Sequence, residues 1–371
     1  MQFGWIKKLG PGLLFAGAAI GVSHLVQSTR AGADFGFGLL WALILIHAVK
    51  YPFFRFGAKY ATATGESLLD GYKKLGKPVL IGYFILNLAT MFTIQAAVTI
   101  VTAGLAANLF DITTNPIIWS GIITTFCLLL LIIGQYKLLD RLMKFIIIIL
   151  TVSTIIALLI AASSSNTIHT FHQIIPEGTI EISFLIAFLG WMPAPLDISV
   201  WQSLWAIEKQ KESLESFDCD QAVFDFNIGY IATLIIGVCF VGLGAFVMFN
   251  SGESFSPKAG EFSKQLITLY TKNLGDEWFI LIGTAAFITM FSTTITTLDA
   301  SPRAMTKTFD LLTQKSYKNS YWFWILFLAI GTMLILIFFI AEMGYLVKIT
   351  FHSVFHVFYV LKPIIWGIRL S

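Results

Sequence analysis

Charge is scarce in this sequence. Only 12% of its 371 residues are Asp, Glu, Lys or Arg, against roughly 25% in a soluble globular protein. So few charges cannot clothe a water-exposed surface of ordinary polarity, which excludes a soluble enzyme and a disordered chain. The net charge of +3 is too small to imply a nucleic-acid partner. Cysteine is nearly absent as well. Cys127, Cys219 and Cys239 are odd in number and far apart, so no disulfide framework or zinc cluster can be read from them. No His-Glu-x-x-His or Gly-x-Ser-x-Gly occurs, and without them nothing supports an intramembrane enzyme. Gly71 to Lys77 has the spacing of a phosphate loop, but Pro78 stands where Ser or Thr is required. No cofactor is expected.

Apolar residues fill the space left by charge, making up 57% of the chain. A membrane helix uses ~20 of them, which leaves room for about ten spans. Long apolar runs place these at 10–31, 35–61, 79–108, 116–135, 142–162, 181–207, 223–249, 277–299, 321–341 and 344–367. The N-terminal run imitates a signal peptide but continues through the supposed cleavage site, so it reads as the first span. The connector 250–276 holds an amphipathic run from Glu261 to Lys272, expected to form a short interfacial helix. Eighteen of the 24 Lys and Arg residues fall on one side of this arrangement and three (Lys258, Lys264, Lys272) on the other. By the positive-inside bias, both termini are cytosolic. The expected class is an all-α, multi-pass protein of the cell membrane, with the lipid bilayer as its surroundings and no separate soluble domain.

Two spans are interrupted. The first carries Gly10, Gly12, Gly17 and Gly21, then Ser23, His24, Gln27 and Ser28; the sixth carries Met192-Pro-Ala-Pro195 followed by Asp197. Proline frees backbone carbonyls and kinks a helix. Unwound backbone at membrane depth persists only where protein or a cavity shelters it. Spans one and six occupy corresponding positions in two sets of five. Paired breaks of this kind point to a transporter of inverted repeats, here about 10–162 and 181–367, with its site at the breaks.

Gly10-Pro-Gly12, Ala31-Gly-Ala-Asp-Phe-Gly36, Leu39-Leu-Trp41, Ala63-Thr-Gly65, Met192-Pro193 and Ser292-Thr-Thr-Ile-Thr296 resemble segments of the Nramp family of divalent-metal transporters. The resemblance spans nearly the whole chain and is densest in spans one, two, six and eight. It implies the leucine-transporter-type fold with two inverted five-helix repeats. The family's first-span Asp-Pro-Gly-Asn falls on Gly21-Val22-Ser23-His24, so the metal-binding carboxylate becomes glycine and the amide ligand histidine. The family's Met-Pro-His falls on Met192-Pro193-Ala194, and its carbonyl-donating alanine on Leu189. A third-span Asp and Glu linked to proton movement fall on Gln95 and Val98. A site of Met192, His24 and carbonyls has no fixed negative charge to offset a desolvated divalent cation, which argues against ordinary Mn²⁺ or Fe²⁺ handling.

The candidate substrate-binding residues are therefore Gly21, Val22, Ser23, His24, Leu189, Trp191, Met192 and Asp197, with Met192 and His24 as the metal ligands if any exist. His24 reads either as a ligand at the first break or as a polar group bonded to a freed carbonyl. Asp197 is either a replacement carboxylate or a helix cap. Gln95, Asp299, Arg303, His352 and His356 are weaker candidates for coupling or gating. Asp299 and Arg303 stand at an i,i+4 spacing, as an inner-gate pair or an ordinary surface pair. Arg30 either attracts an anion or snorkels to the interface. His47 and Lys50 are polar groups inside span two and so default to a functional role, although no partner can be read for either. The leading expectation is a secondary transporter working by alternating access around the two breaks, with a divalent metal ion as the substrate the resemblance implies. The alternatives are carriage of a small anion or uncharged solute, and a non-transporting sensor or scaffold.

Overall fold

A computed structural model of the chain describes residues 10–164, 171–212, 218–249, 255–256, 259–275 and 279–338. The expected tenth span, with His352 and His356, lies outside the described residues, as do both termini. Among the described residues all regular structure is helical. In chain order the α-helices are α1 (Pro11–Ala19), α2 (Thr29–Phe35), α3 (Leu40–Thr64), α4 (Leu68–Leu75), α5 (Lys77–Phe110), α6 (Pro116–Ser164), α7 (Thr179–Trp191), α8 (Ile198–Glu212), α9 (Cys219–Val247), α10 (Ala259–Leu274), α11 (Phe279–Thr313) and α12 (Ser320–Phe338). A π-helical segment, Val22–Ser28, joins α1 to α2.

Among the described residues, seven stretches are long and apolar enough to cross a membrane. To these are added α3, whose 25 residues include His47, Lys50, Arg55 and Lys59, and the pair α7–α8. Nine of the ten expected spans are thus represented among the described residues. The connector expected between spans four and five is helical instead. The apolar stretches Pro116–Gly134 and Tyr136–Ser163 both lie within α6. Trp119 and Phe126 of the first pack on Phe110 and Phe291. The second passes Gly17 with Met143 and Gly242 with Leu158. Asp140 of the second stretch pairs with Lys144 at 2.9 Å and with Lys209 of α8 at 3.3 Å.

Local sequence explains how the site is approached. Pro11 suits the first turn of α1 because it has no N–H to leave unpaired. The neighbouring N–H groups of Gly10 and Gly12 donate to the buried carboxylate of Asp225, at 2.9 and 2.7 Å, so α9 caps α1. This contact requires glycine. A Cβ on Gly12 would lie 2.1 Å from the Asp225 carbonyl oxygen, and one on Gly229 would lie 1.9 Å from that of Gly12. Two helices can approach this closely only through small residues. Ser67 and Asp70 form a capping box that starts α4. In α10, Phe262, Leu266 and Ile267 face inward and Glu261 and Lys264 outward, in keeping with the amphipathic reading. Ile122, Phe126, Leu129 and Ile133 present an exposed apolar face, suited to lipid.

Candidate functional site

α1 ends at Ala19, and Ile20 and Gly21 leave helical geometry before the π-helical segment begins. The first span is therefore interrupted where expected. Side chains of α11 cover the carbonyls freed there. The Thr293 hydroxyl lies 3.0 Å from Gly17 O and 3.1 Å from Ile20 O, and that of Ser292 lies 3.2 Å from Gly17 O. The second break separates the end of α7 at Trp191 from the start of α8 at Ile198. Its carbonyls are covered from α3. Lys50 Nζ donates to Gly190 O at 2.7 Å, Met192 O at 2.8 Å and Ala194 O at 3.1 Å.

The two breaks meet. Ser23 Oγ approaches Ala19 O at 2.5 Å and Pro193 O at 3.3 Å, while Ser28 Oγ donates to Met192 Sδ at 3.5 Å. Between them a cavity leaves about 30 Å³ for the centres of water-sized molecules, room for about two waters. Val22, Ser23, Val98, Trp191, Trp201 and Thr297 are among its lining residues. The Thr297 hydroxyl donates to Gln95 Oε1 at 2.6 Å. Trp191 and Trp201 are both buried, and neither indole N–H has a hydrogen-bond partner.

Two discontinuous helices thus meet beside a small cavity, and comparison with known proteins identifies the family. The family described as natural resistance-associated macrophage protein-like (Nramp) matches residues 12–366. The chain belongs to the Nramp family. It is 35% identical to the uncharacterized protein PM0681 of Pasteurella multocida over 357 residues, covering 93% of this chain and 81% of the other. It is 22% identical over 327 residues to metal transporter NRAT1 of Oryza sativa subsp. japonica, covering 85% and 59%. Among solved structures it resembles a manganese transporter of Eremococcus coleocola, with a TM-score of 0.71, 14% identity, and 96% and 78% coverage. It also resembles a nucleobase-cation-symport-1 family transporter, with a TM-score of 0.62, 14% identity, and 92% and 75% coverage. These likenesses fix the fold as the leucine-transporter type.

Within the Nramp register the structure distributes the candidate residues unevenly. Val22, Ser23 and Trp191 line the cavity. Gly21 stands at the break, but a Cβ there would lie 2.3 Å from Thr293 Oγ1, so Thr293 occupies the space a longer side chain would need. His24 turns away from the cavity and is fully buried. Its Nε2 lies 3.0 Å from Thr233 O on α9, and its Nδ1 lies 2.8 Å from Ser23 Oγ and 3.1 Å from Ala19 O. The freed-carbonyl reading of His24 is the one the geometry matches. Met192 is fully buried, with its sulfur held by Ser28. Leu189 packs in an apolar cluster with Phe188 and Val241. Asp197 directly precedes α8, and its Oδ1 is buried without a hydrogen-bond partner. Among the described residues no group of three or more His, Cys, Asp and Glu side chains could hold a metal ion.

Gln95 bridges α5 to α11, donating to Thr294 O at 3.2 Å. Asp299 and Arg303 do not form a surface pair. The Asp299 carboxylate is fully buried and accepts from Arg303 Nε (2.7 and 2.9 Å), Trp205 Nε1 (3.0 Å) and Tyr321 OH (2.6 Å). The pair therefore ties α11 to α8 and α12. Arg30 is neither free nor snorkelling. It donates to Ser256 O at 2.8 Å and lies over the Phe255 and Phe262 rings, against α10. The sequence reading missed Asp225, whose buried carboxylate in span seven was the available signal, and it gave Lys50 no partner.

Proposed function

We propose that this Nramp-family chain is a secondary transporter that works by alternating access, with its substrate held between the two breaks. The observation that carries this reading is the meeting of Ser23 with Pro193 and of Ser28 with Met192 beside a small cavity. Each inverted repeat, about 10–162 and 181–367, contributes one broken helix, so rocking of one against the other opens the cavity to either side. The lysine and arginine bias fits a cell-membrane protein with both termini in the cytosol.

A metal ion is the first substrate class, supported by the family and by relatives named as a metal transporter and a manganese transporter. With glycine at position 21, no fixed carboxylate offsets a divalent charge there, so Mn²⁺ is expected to bind weakly. Gln95 and Val98 carry no proton near neutral pH, so strong proton coupling is not expected. A second reading, a small anion or uncharged solute, is supported by the unpaired indole N–H groups of Trp191 and Trp201. An indole N–H only donates, and it is satisfied by an acceptor atom, never by a bare cation.

The test is calorimetry and proteoliposome uptake with Mn²⁺, read alongside an internal pH dye. Weak Mn²⁺ transport without strong proton influx is expected in the unmodified protein. Gly21→Asp is expected to give no gain, because the new side chain meets Thr293. Micromolar Mn²⁺ binding with proton uptake would overturn the acceptor-solute reading and point to a rebuilt site including Met192 and Asp197. Folded protein that takes up neither Mn²⁺ nor small anions and neutral solutes would overturn the transport reading.

A further inference from the structure

The carbonyls at the second break are already occupied by a cation that belongs to the chain. Lys50 lies near the middle of α3, 6% exposed, and its ammonium is surrounded by the carbonyl oxygens of Gly190, Met192 and Ala194 at 2.7–3.1 Å. An ammonium has three donors and no acceptor, so three carbonyls satisfy it completely. Two of these carbonyls lie around the C-terminus of α7, where the helix dipole concentrates negative charge. Rings of backbone carbonyls are also how proteins strip and hold a monovalent ion such as K⁺, and K⁺ and ammonium are similar in size. The first break differs in kind. Its carbonyls are covered by the neutral hydroxyls of Ser292 and Thr293.

We infer that Lys50 is a tethered cation seated in a carbonyl cradle at the second break, and that it takes the place of an inorganic monovalent ion there. The break is thus held together without Na⁺ or K⁺. Removing the ammonium leaves a vacant cradle selective for ammonium-sized cations. This inference rests on the geometry of the break and stands whichever substrate the carrier moves.

The experiment is thermal unfolding of the detergent-solubilised full chain in chloride salts of ammonium, methylammonium, K⁺, Na⁺ and choline at equal ionic strength. The unmodified protein is expected to show the same Tm in all five. Lys50→Ala and Lys50→Met are expected to lose stability in choline and to regain it saturably in ammonium or K⁺. The gain should be on the order of 2 °C at about ten times the Kd, and smaller in Na⁺. A saturable Na⁺- or K⁺-specific rise in the unmodified protein would overturn the inference, because the cradle would then be open. So would variants that fold in choline and gain nothing from any cation. If neither variant is recovered monodisperse from choline, purification is repeated in ammonium chloride. Recovery there supports the tethered cation, and failure in every salt overturns it. A failed Mn²⁺ or solute uptake assay leaves these readouts unchanged, so the two proposals fail separately.

Discussion

Replacing Asp299 with Asn removes one negative charge from a point where three helices meet. The carboxylate is fully buried, and Arg303, its counter-charge, has a side chain only 16% exposed. The substitution keeps the shape of the side chain. It removes the carboxylate that pairs with the guanidinium and turns an amide N–H₂ toward Arg303 Nε, Trp205 Nε1 or Tyr321 OH, all of which are donors at this site. Breaking a buried ion pair from one side costs ~3–5 kcal/mol. Arg303 retains some access to water and lies over the Tyr321 ring at 5.0 Å, so the lower end applies, about 3 kcal/mol. The measurement is equilibrium unfolding in detergent micelles as a function of denaturant, with the slope held as a check on the unfolded state. Asp299→Asn combined with Arg303→Met removes both charges and should lose less than the sum of the two single variants, since a contacting pair is strongly non-additive. A loss below ~1 kcal/mol for Asp299→Asn, or strict additivity in the double variant, would refute the assignment of Asp299 as the buried tie between α8, α11 and α12.

Two further outcomes follow from contacts outside the cavity. Gly12→Ala would place a Cβ 2.1 Å from a backbone carbonyl oxygen, and backbone cannot swing aside as a side chain can. The expected cost is at least ~1–3 kcal/mol, read as lost monodisperse yield and lower Tm, and wild-type stability in that variant would contradict the close α1–α9 contact. On α4, burial pushes the Asp70 carboxyl up, but Lys307 and Ser67 outweigh it and hold it below the usual carboxylate range. A depressed folded-state value contributes stability above the ordinary Asp range, and that stability is lost as pH falls through the depressed value. The unmodified protein should therefore lose more stability than Asp70→Asn between pH 6 and the acid limit, and parallel pH curves would exclude this contribution.

The sequence by itself determined the class, the approximate spans and the positions of both breaks. Each of these rests on a local signal: twenty-residue apolar runs, glycine around 21, and paired prolines at 193 and 195. The amphipathic helix under Glu261 and Lys264 was legible for the same reason, since its period shows within a few turns. The family register was also readable from short motifs. What closes the breaks was not, because closure depends on residues far away along the chain. Lys50 meets Gly190 across 140 positions, Thr293 meets Gly17 across 276, and Asp225 caps Gly10 across 215. Nothing in the spacing of span two indicated that Lys50 would reach carbonyls in span six. His24 shows the same division. Its place beside the break was fixed by sequence, but the direction of its ring was decided by where α9 put the Thr233 carbonyl. Hydropathy determines which segments enter the membrane. Which freed carbonyl receives which donor is settled only when the helices pack, because a polar group buried in lipid or protein must take whatever partner the neighbouring helix brings.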